Sequence, residues 1–390
     1  MNEETKLIRT QTARSHNREH SAPLYLTSSF IFDDAEQGRA IFADEVEGNI
    51  YSRYSNPNTN EFIEKICEME GAEAGLAFAS GMAAVFASFA GLLKSGDHVV
   101  AYRAIFGSTH QLLTTLFPRW GITSTYIDAA NPDELLAAIT PATKMIFLET
   151  PSNPGLELVD LEWLCKTIKP NHPHIIINVD NCFATPYLQK PMSYGVDLVS
   201  HSATKYMDGQ GRVLGGVVVG NKALIKEMMF FIRHTGPAMS AFNAWLLSKS
   251  LETLPLRMDR HCSNAKKVAE LLEESTEVEL VRYPHLPSHP QYELAKKQMK
   301  QGGGIVTFII KDGFDRAKKF MDALDMILIS SNLGDSRTIA THPASTTHSK
   351  LSETERQSIG IFPGSIRISV GLENIDDILT DINQALHKTS

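Results

Sequence analysis

Val196-Asp197-Leu198-Val199-Ser200 leads into Ser202-Ala203-Thr204-Lys205, a short apolar run that gives out on a lone lysine. A run of this kind reads as a buried strand. Desolvation at the mouth of such a strand disfavours the ammonium form and lowers the pKa, so the amine becomes a nucleophile suited to Schiff-base chemistry. Taken alone, a lysine after a strand is usually a solvated loop residue. A second run, Ile175-Ile176-Ile177-Asn178-Val179, ends on Asp180 and Asn181. That sets a carboxylate at the mouth of a neighbouring strand, although aspartate there is often only a turn former.

An amine for an aldehyde and a carboxylate for a pyridinium nitrogen are the groups that pyridoxal 5'-phosphate (PLP) requires of a protein. A phosphate site is also legible. Ala74 to Ala79 reads as a short strand, after which Met82, Val85, Phe86, Phe89 and Leu93 fall at helical spacing. Ser80 is then a helix N-cap and Gly81 permits close approach, which suits a phosphate dianion at the positive end of the helix dipole. An ordinary capped core helix has the same pattern. The stretch from Ala74 to Leu93 holds no charge and is nearly long enough to span a bilayer. Two Ser and three Gly interrupt it and its period changes midway, so a soluble, cytoplasmic protein without membrane contact is expected.

Composition agrees. The 390 residues are 43% hydrophobic and 21% charged, ordinary globular material long enough for two domains. A net charge of −8 disfavours nucleic acid as a partner. Cys67, Cys165, Cys182 and Cys262 are scattered, as reduced thiols would be, and Cys182 reads as a small hydrophobe. No metal site is expected: the pairs His342/His348 and His172/His174 lack zinc spacing and read as loop histidines.

His98 to Ala101, Met145 to Glu149, Ile175 to Asp180, Leu198 to Ser202 and Leu214 to Val219 read as buried strands separated by helical or loop segments. This alternation predicts an α/β fold, a mainly parallel sheet with ligands at the carboxyl ends of its strands. Gly304 to Ile310 and Ser365 to Val370 read as strands, Asp315 to Leu324 and Ile375 to His387 as amphipathic helices, together a smaller C-terminal α+β domain. On Ser365-Ile366-Arg367-Ile368-Ser369-Val370 the period of two separates Arg367 from its apolar neighbours. That arginine either grips a carboxylate with two prongs or makes a surface ion pair.

Tyr51-Ser52-Arg53-Tyr54-Ser55-Asn56-Pro57, Glu149-Thr150-Pro151-Ser152-Asn153-Pro154, Ser202-Ala203-Thr204-Lys205-Tyr206 with Asp180 upstream, and Arg367-Ile368-Ser369-Val370-Gly371-Leu372-Glu373 resemble the PLP-dependent enzymes of cysteine and methionine metabolism, fold type I. The resemblance runs from about residue 20 to the C terminus. It implies that Lys205 carries PLP as a Schiff base and moves protons, and that Asp180 keeps the ring nitrogen protonated. Ser80, Gly81, Met82, Ser202 and Thr204 would bind phosphate. Tyr51 and Arg53 would reach the phosphate of a neighbouring subunit, giving a homo-oligomer, expected to be a tetramer, with shared active sites. Asn153, Arg367 and Thr347 would hold the α-carboxylate of an amino-acid substrate. The expected division is an N-terminal arm over 1–58, a PLP-binding domain over 59–250 and a C-terminal domain over 251–390.

Members of that family differ in reaction. Where many carry a tyrosine stacked on the cofactor, this chain has Phe106, which keeps the stacking and lacks the hydroxyl. A thiol has a pKa of about 8.5 and a carboxylic acid about 4, so only the carboxylate leaves readily without proton help. Phe106 therefore favours an O-acyl homoserine over cystathionine or methionine. Glu19 to Phe30, Gly48 to Tyr51 and Ser331-Asn332-Leu333-Gly334-Asp335 are similar to the O-succinylhomoserine sulfhydrylases, and Ser108 stands where methionine γ-lyases typically have cysteine. The expected reaction is γ-replacement of succinate by sulfide, giving homocysteine in methionine biosynthesis. Cystathionine γ-synthase, cystathionine β- or γ-lyase and methionine γ-lyase are the alternatives within the family, and a non-catalytic PLP carrier is the alternative outside it.

Overall fold

The computed structural model of the protein describes residues 1–128, 131–347, 349 and 352–390. Seven strands make the larger sheet: β1 (Ala74–Phe78), β2 (His98–Tyr102), β3 (Thr123–Ile127), β4 (Thr143–Glu149), β5 (Ile176–Asp180), β6 (Leu198–Ser202) and β7 (Gly216–Gly220). Their order is β1-β7-β6-β5-β4-β2-β3. Strands β6, β5, β4, β2 and β3 are parallel, and β7 runs antiparallel to both of its neighbours. β1 consequently points the same way as β6, and the carboxyl ends of β1, β6, β5 and β4 share one edge.

Every residue of β2 and β7 is buried, as expected when helices cover both faces of a sheet. Alternate residues feed two separate cores. Val100, Ile146, Ile177 and Val199 lie in one, and Val99, Met145, Ile176 and Leu198 in the other, together with Val85 and Phe89 of the helix Gly81–Ala90. That helix stops before Leu93, because Gly91 caps it. β7 begins at Gly216 rather than at Leu214, which is 60% exposed; the Gly215 N–H bonds the Thr204 hydroxyl instead of a strand partner.

The smaller sheet contains β8 (Val278–Arg282), β9 (Ile305–Ile310), β10 (Leu328–Ile329), β11 (Ile339–Thr341) and β12 (Ser365–Ser369), in the order β10-β11-β12-β9-β8. Only the β10–β11 pair is parallel. Helices Leu254–Glu274, Gly313–Asp322 and Ile375–Lys388 pack on it through a third core that includes Leu272, Phe308, Phe320, Ile366 and Ile382. Among the described residues no helix is long and apolar enough to cross a membrane.

Candidate active site

The parallel register sets Glu149 beside Asp180 and Asp180 beside Ser200, so the ends of β4, β5 and β6 lie side by side. At that edge a cavity of about 230 Å³ opens, facing the smaller sheet. Of the residues expected at the site, Gly81, Met82, Phe106, Asn153, Asp180, Ser202, Lys205, Thr347 and Arg367 all line it.

Lys205 sits in the turn after β6, and its Nζ donates to Oδ1 of Asn332 at 2.8 Å. Burial pulls its pKa below that of an ordinary lysine; the Arg367 charge adds to this and Cys182 opposes it. Asp180 accepts the Cys182 N–H at 3.0 Å. Burial raises its pKa to about 6, against the pull of that hydrogen bond and of His201. Glu149 is likewise held well above the usual carboxylate range, by burial and then by the charge of Asp180. The Cys182 thiol is also pushed up by burial, so it is a poor nucleophile, in keeping with its apolar reading.

Ser80 caps the helix Gly81–Ala90, its Oγ accepting the Ala83 N–H at 3.1 Å. A Cβ on Gly81 would stand 2.6 Å from Cβ of Ser202, so only glycine lets the helix start approach β6 this closely. Thr204 is tied to Gly215 by a two-way hydrogen bond, Oγ1 accepting from N at 3.1 Å and donating to O at 3.3 Å. Ser80 and Thr204 are not among the lining residues; they brace the segments that are. A helix N-terminus with room left by glycine, a serine hydroxyl beside it, an amine and a carboxylate form a donor set that fits the phosphate, aldehyde and ring nitrogen of PLP.

Across the cavity Arg367, on β12, is 2% exposed. Its Nη1 donates to Oδ1 of Asn153 at 3.0 Å, and its Nη2 to the carbonyls of Ser331 and Asn332 at 3.2 and 3.1 Å. The Nε–H is buried without a partner among the described residues. Burial lowers the guanidinium pKa to about 10. This burial overturns the surface ion-pair alternative. Asn153 reaches Arg367 from the loop after β4, where Thr150-Pro151 and Asn153-Pro154 are cis.

Tyr51 and Arg53 lie away from this cavity. The Arg53 guanidinium stands 4.7 Å from the Tyr54 ring centre and 5.5 Å from that of Tyr51, its Nη1 donates to the Arg233 carbonyl, and Tyr51 is 41% exposed. His342 spends both ring nitrogens on Ser345 and the Pro363 carbonyl, and His348 lies outside the described residues. Among the described residues no cluster of His, Cys, Asp and Glu could hold a metal. Sequence reasoning located Glu149 at a strand end but assigned it no role, and it did not place Ser331 and Leu333, which line the cavity, or Asn332, which bonds Lys205 and Arg367, at the site, although they fall in a quoted motif.

A family model described as Cys/Met metabolism PLP-dependent enzyme matches residues 4–387. The chain is 46% identical over 383 residues to the O-succinylhomoserine sulfhydrylase of Pseudomonas aeruginosa, covering 98% of this chain and 94% of the relative. It is 44% identical over 368 residues to the L-methionine gamma-lyase of Fusobacterium nucleatum subsp. polymorphum, covering 94% and 93%. Among solved structures, a candidate O-acetylhomoserine (thiol)-lyase from Campylobacter jejuni superposes with a TM-score of 0.95 at 34% identity, covering 99% of this chain and 100% of that one. That protein carries N'-pyridoxyl-lysine-5'-monophosphate at its position 205.

Proposed function

The chain belongs to the Cys/Met metabolism PLP-dependent enzymes, of fold type I, and from that premise we propose that it replaces the succinate of O-succinylhomoserine with sulfide, giving homocysteine and succinate. A non-catalytic carrier is set aside by membership of an enzyme family. One observation carries the choice of substrate. Phe106 stands at the cavity wall, and no tyrosine is among the described residues that line it. A leaving group there goes without a phenolic proton, which a carboxylate with an acid pKa of about 4 tolerates and a thiolate at about 8.5 does not. The relatives alone do not decide the matter, since a sulfhydrylase and a γ-lyase stand at 46% and 44% identity.

Bound PLP supplies an electron sink that acidifies the hydrogens on the α- and β-carbons of the substrate. Lys205, its pKa lowered by burial, accepts and returns those protons. Asp180, which lines the cavity, would pair with the ring nitrogen and keep its proton in place. Gly81, Met82 and Ser202 would hold the phosphate on segments that Ser80 and Thr204 brace, while Asn153, Thr347 and Arg367 would orient the α-carboxylate. Sulfide then takes the γ-carbon that succinate vacates. Tyr51 and Arg53 complete the phosphate site of a second copy in a tetramer, a reading supported by their distance from their own cavity and by the exposed arm residues Leu26, Ile31 and Phe42, 72%, 98% and 61% exposed. Four free cysteines suit the reducing cytoplasm.

The test is a panel of O-succinyl- and O-acetylhomoserine against sulfide and cysteine, with cystathionine and methionine as lyase substrates. Homocysteine from the succinyl ester and sulfide is expected. Ready cleavage of cystathionine or methionine without that product overturns the proposal.

A further inference from the structure

Glu149 closes β4, is 6% exposed and lines the cavity beside Asp180. Its Oε2 accepts the backbone N–H of Phe106 at 2.9 Å. The backbone N–H groups of Phe106 and Asn153 both favour its ionised form, against the push of burial. Phe106 immediately precedes the short helix Gly107–Gln111 and presents its ring to the cavity; Asn153 passes its side-chain oxygen to Arg367. One carboxyl group is thus bonded to the loop that carries Phe106 and feels the N–H of Asn153 on a second loop, the partner of Arg367. A buried carboxyl is costly unless its hydrogen bonds are met, and among the described residues none makes a salt bridge with Glu149. Such a group is a candidate for a functional role.

We propose that Glu149 is a positioning residue for the reaction: through the N–H groups of Phe106 and Asn153 it sets the aromatic ring against the cofactor plane and aims the Asn153–Arg367 pair at the substrate carboxylate. The claim about the aromatic ring depends on PLP alone. The claim about the carboxylate rests on the role proposed above for Asn153 and Arg367.

The experiment compares holoenzyme with Glu149→Ala, Glu149→Gln, Phe106→Ala and the double variant Phe106→Ala/Glu149→Ala. Visible circular dichroism of the bound cofactor reports how its surroundings hold it, and steady-state kinetics report the grip on substrate. Glu149→Ala is expected to lower the ellipticity per bound cofactor by half or more. It should also raise KM about tenfold, equivalent to about 1.4 kcal/mol, with a smaller change in kcat. Glu149→Gln keeps one acceptor oxygen for two donors and falls between; it decides the matter should the alanine variant fail to fold. In the double variant the ellipticity is expected to fall no further than in Phe106→Ala alone, the non-additivity of groups acting through one contact. Ellipticity and KM within a factor of about 1.5 of the parent in Glu149→Gln, or additive losses in the double variant, overturn the proposal. The dichroism needs no substrate, so a failure of the sulfhydrylase assay leaves that measurement decisive.

Discussion

Replacing Arg367 with lysine keeps the charge at the cavity and removes the fork. In the parent, Nη1 is committed to Asn153 at 3.0 Å and Nη2 to the carbonyls of Ser331 and Asn332 at 3.2 and 3.1 Å, while the buried Nε–H has no partner among the described residues. A substrate carboxylate would meet a guanidinium already fixed in orientation, so little is lost in ordering it. Each hydrogen bond to a charged group contributes roughly 1.5–3 kcal/mol, and two prongs about 3–6 kcal/mol. Lysine offers one prong and leaves at least one of the Ser331 and Asn332 carbonyls without its donor. The expected loss is therefore about 1.5–3 kcal/mol, or roughly 10- to 150-fold in kcat/KM, and Arg367→Ala should lose about 10²- to 10⁴-fold. The α-carboxylate takes no part in bond making, so the loss should fall mainly on KM. Steady-state kinetics with O-succinylhomoserine and excess sulfide would measure it, with absorbance of bound cofactor as the control for loading. A lysine variant whose kcat/KM stays within about threefold of the parent would refute the two-pronged grip.

Lys205→Ala should abolish fixation of the cofactor to the protein by borohydride, read by mass, and lower kcat by at least about 10²- to 10⁴-fold from lost proton transfer alone; fixation that persists in the variant moves the Schiff base to another amine. Asp180 has a folded-state pKa raised to about 6, against roughly 3.9 for the unfolded chain. In the cofactor-free protein its contribution to stability is complete below about pH 4 and lost as pH rises through about 6. Parent should therefore lose stability relative to Asp180→Asn across that window, in denaturant titrations at several pH values, and a constant difference would show that the carboxyl is not perturbed. Gly81→Ala forces a Cβ to within 2.6 Å of Cβ of Ser202 and should weaken PLP binding at least about tenfold in a fluorescence titration of the cofactor-free protein; a change below twofold would mean the helix start can retreat at no expense to the phosphate site.

The strands that carry the site were legible because both faces of the sheet are covered. β2, β4, β5 and β7 are largely apolar runs, β6 opens on the apolar Leu198-Val199, and Lys205, Asp180 and Glu149 stand at or just past the ends of β6, β5 and β4. β3 escaped, since Thr123-Ser124-Thr125-Tyr126-Ile127 is an edge strand with alternately exposed positions and only Ile127 buried. β10 is a pair of exposed residues held by β11, with no pattern to read. The roles that sequence missed are set by distant partners. Glu149 acquires its role from the N–H of a residue 43 positions away, and Asn332 from an amine 127 positions away. Local periodicity encodes neither separation. Tyr51 and Arg53 had only family resemblance behind them, because a turn-rich segment before Asn56-Pro57 looks the same whether it meets solvent or a second chain.

Asn332 explains why two sheets are needed for one cavity. The larger sheet contributes the amine, the carboxylate and the helix N-terminus; the smaller contributes Arg367, and Asn332 spans the two, taking the Lys205 Nζ on its side chain and the Arg367 Nη2 on its carbonyl. One residue thereby holds two cations to the same short segment, and the guanidinium helps to depress the pKa of the amine. In the proposed mechanism this has a direction. A substrate carboxylate that settles on Arg367 neutralises the charge which repels a proton from Lys205. The amine thus becomes the stronger base once substrate has arrived, when a hydrogen on the α-carbon is there to be taken.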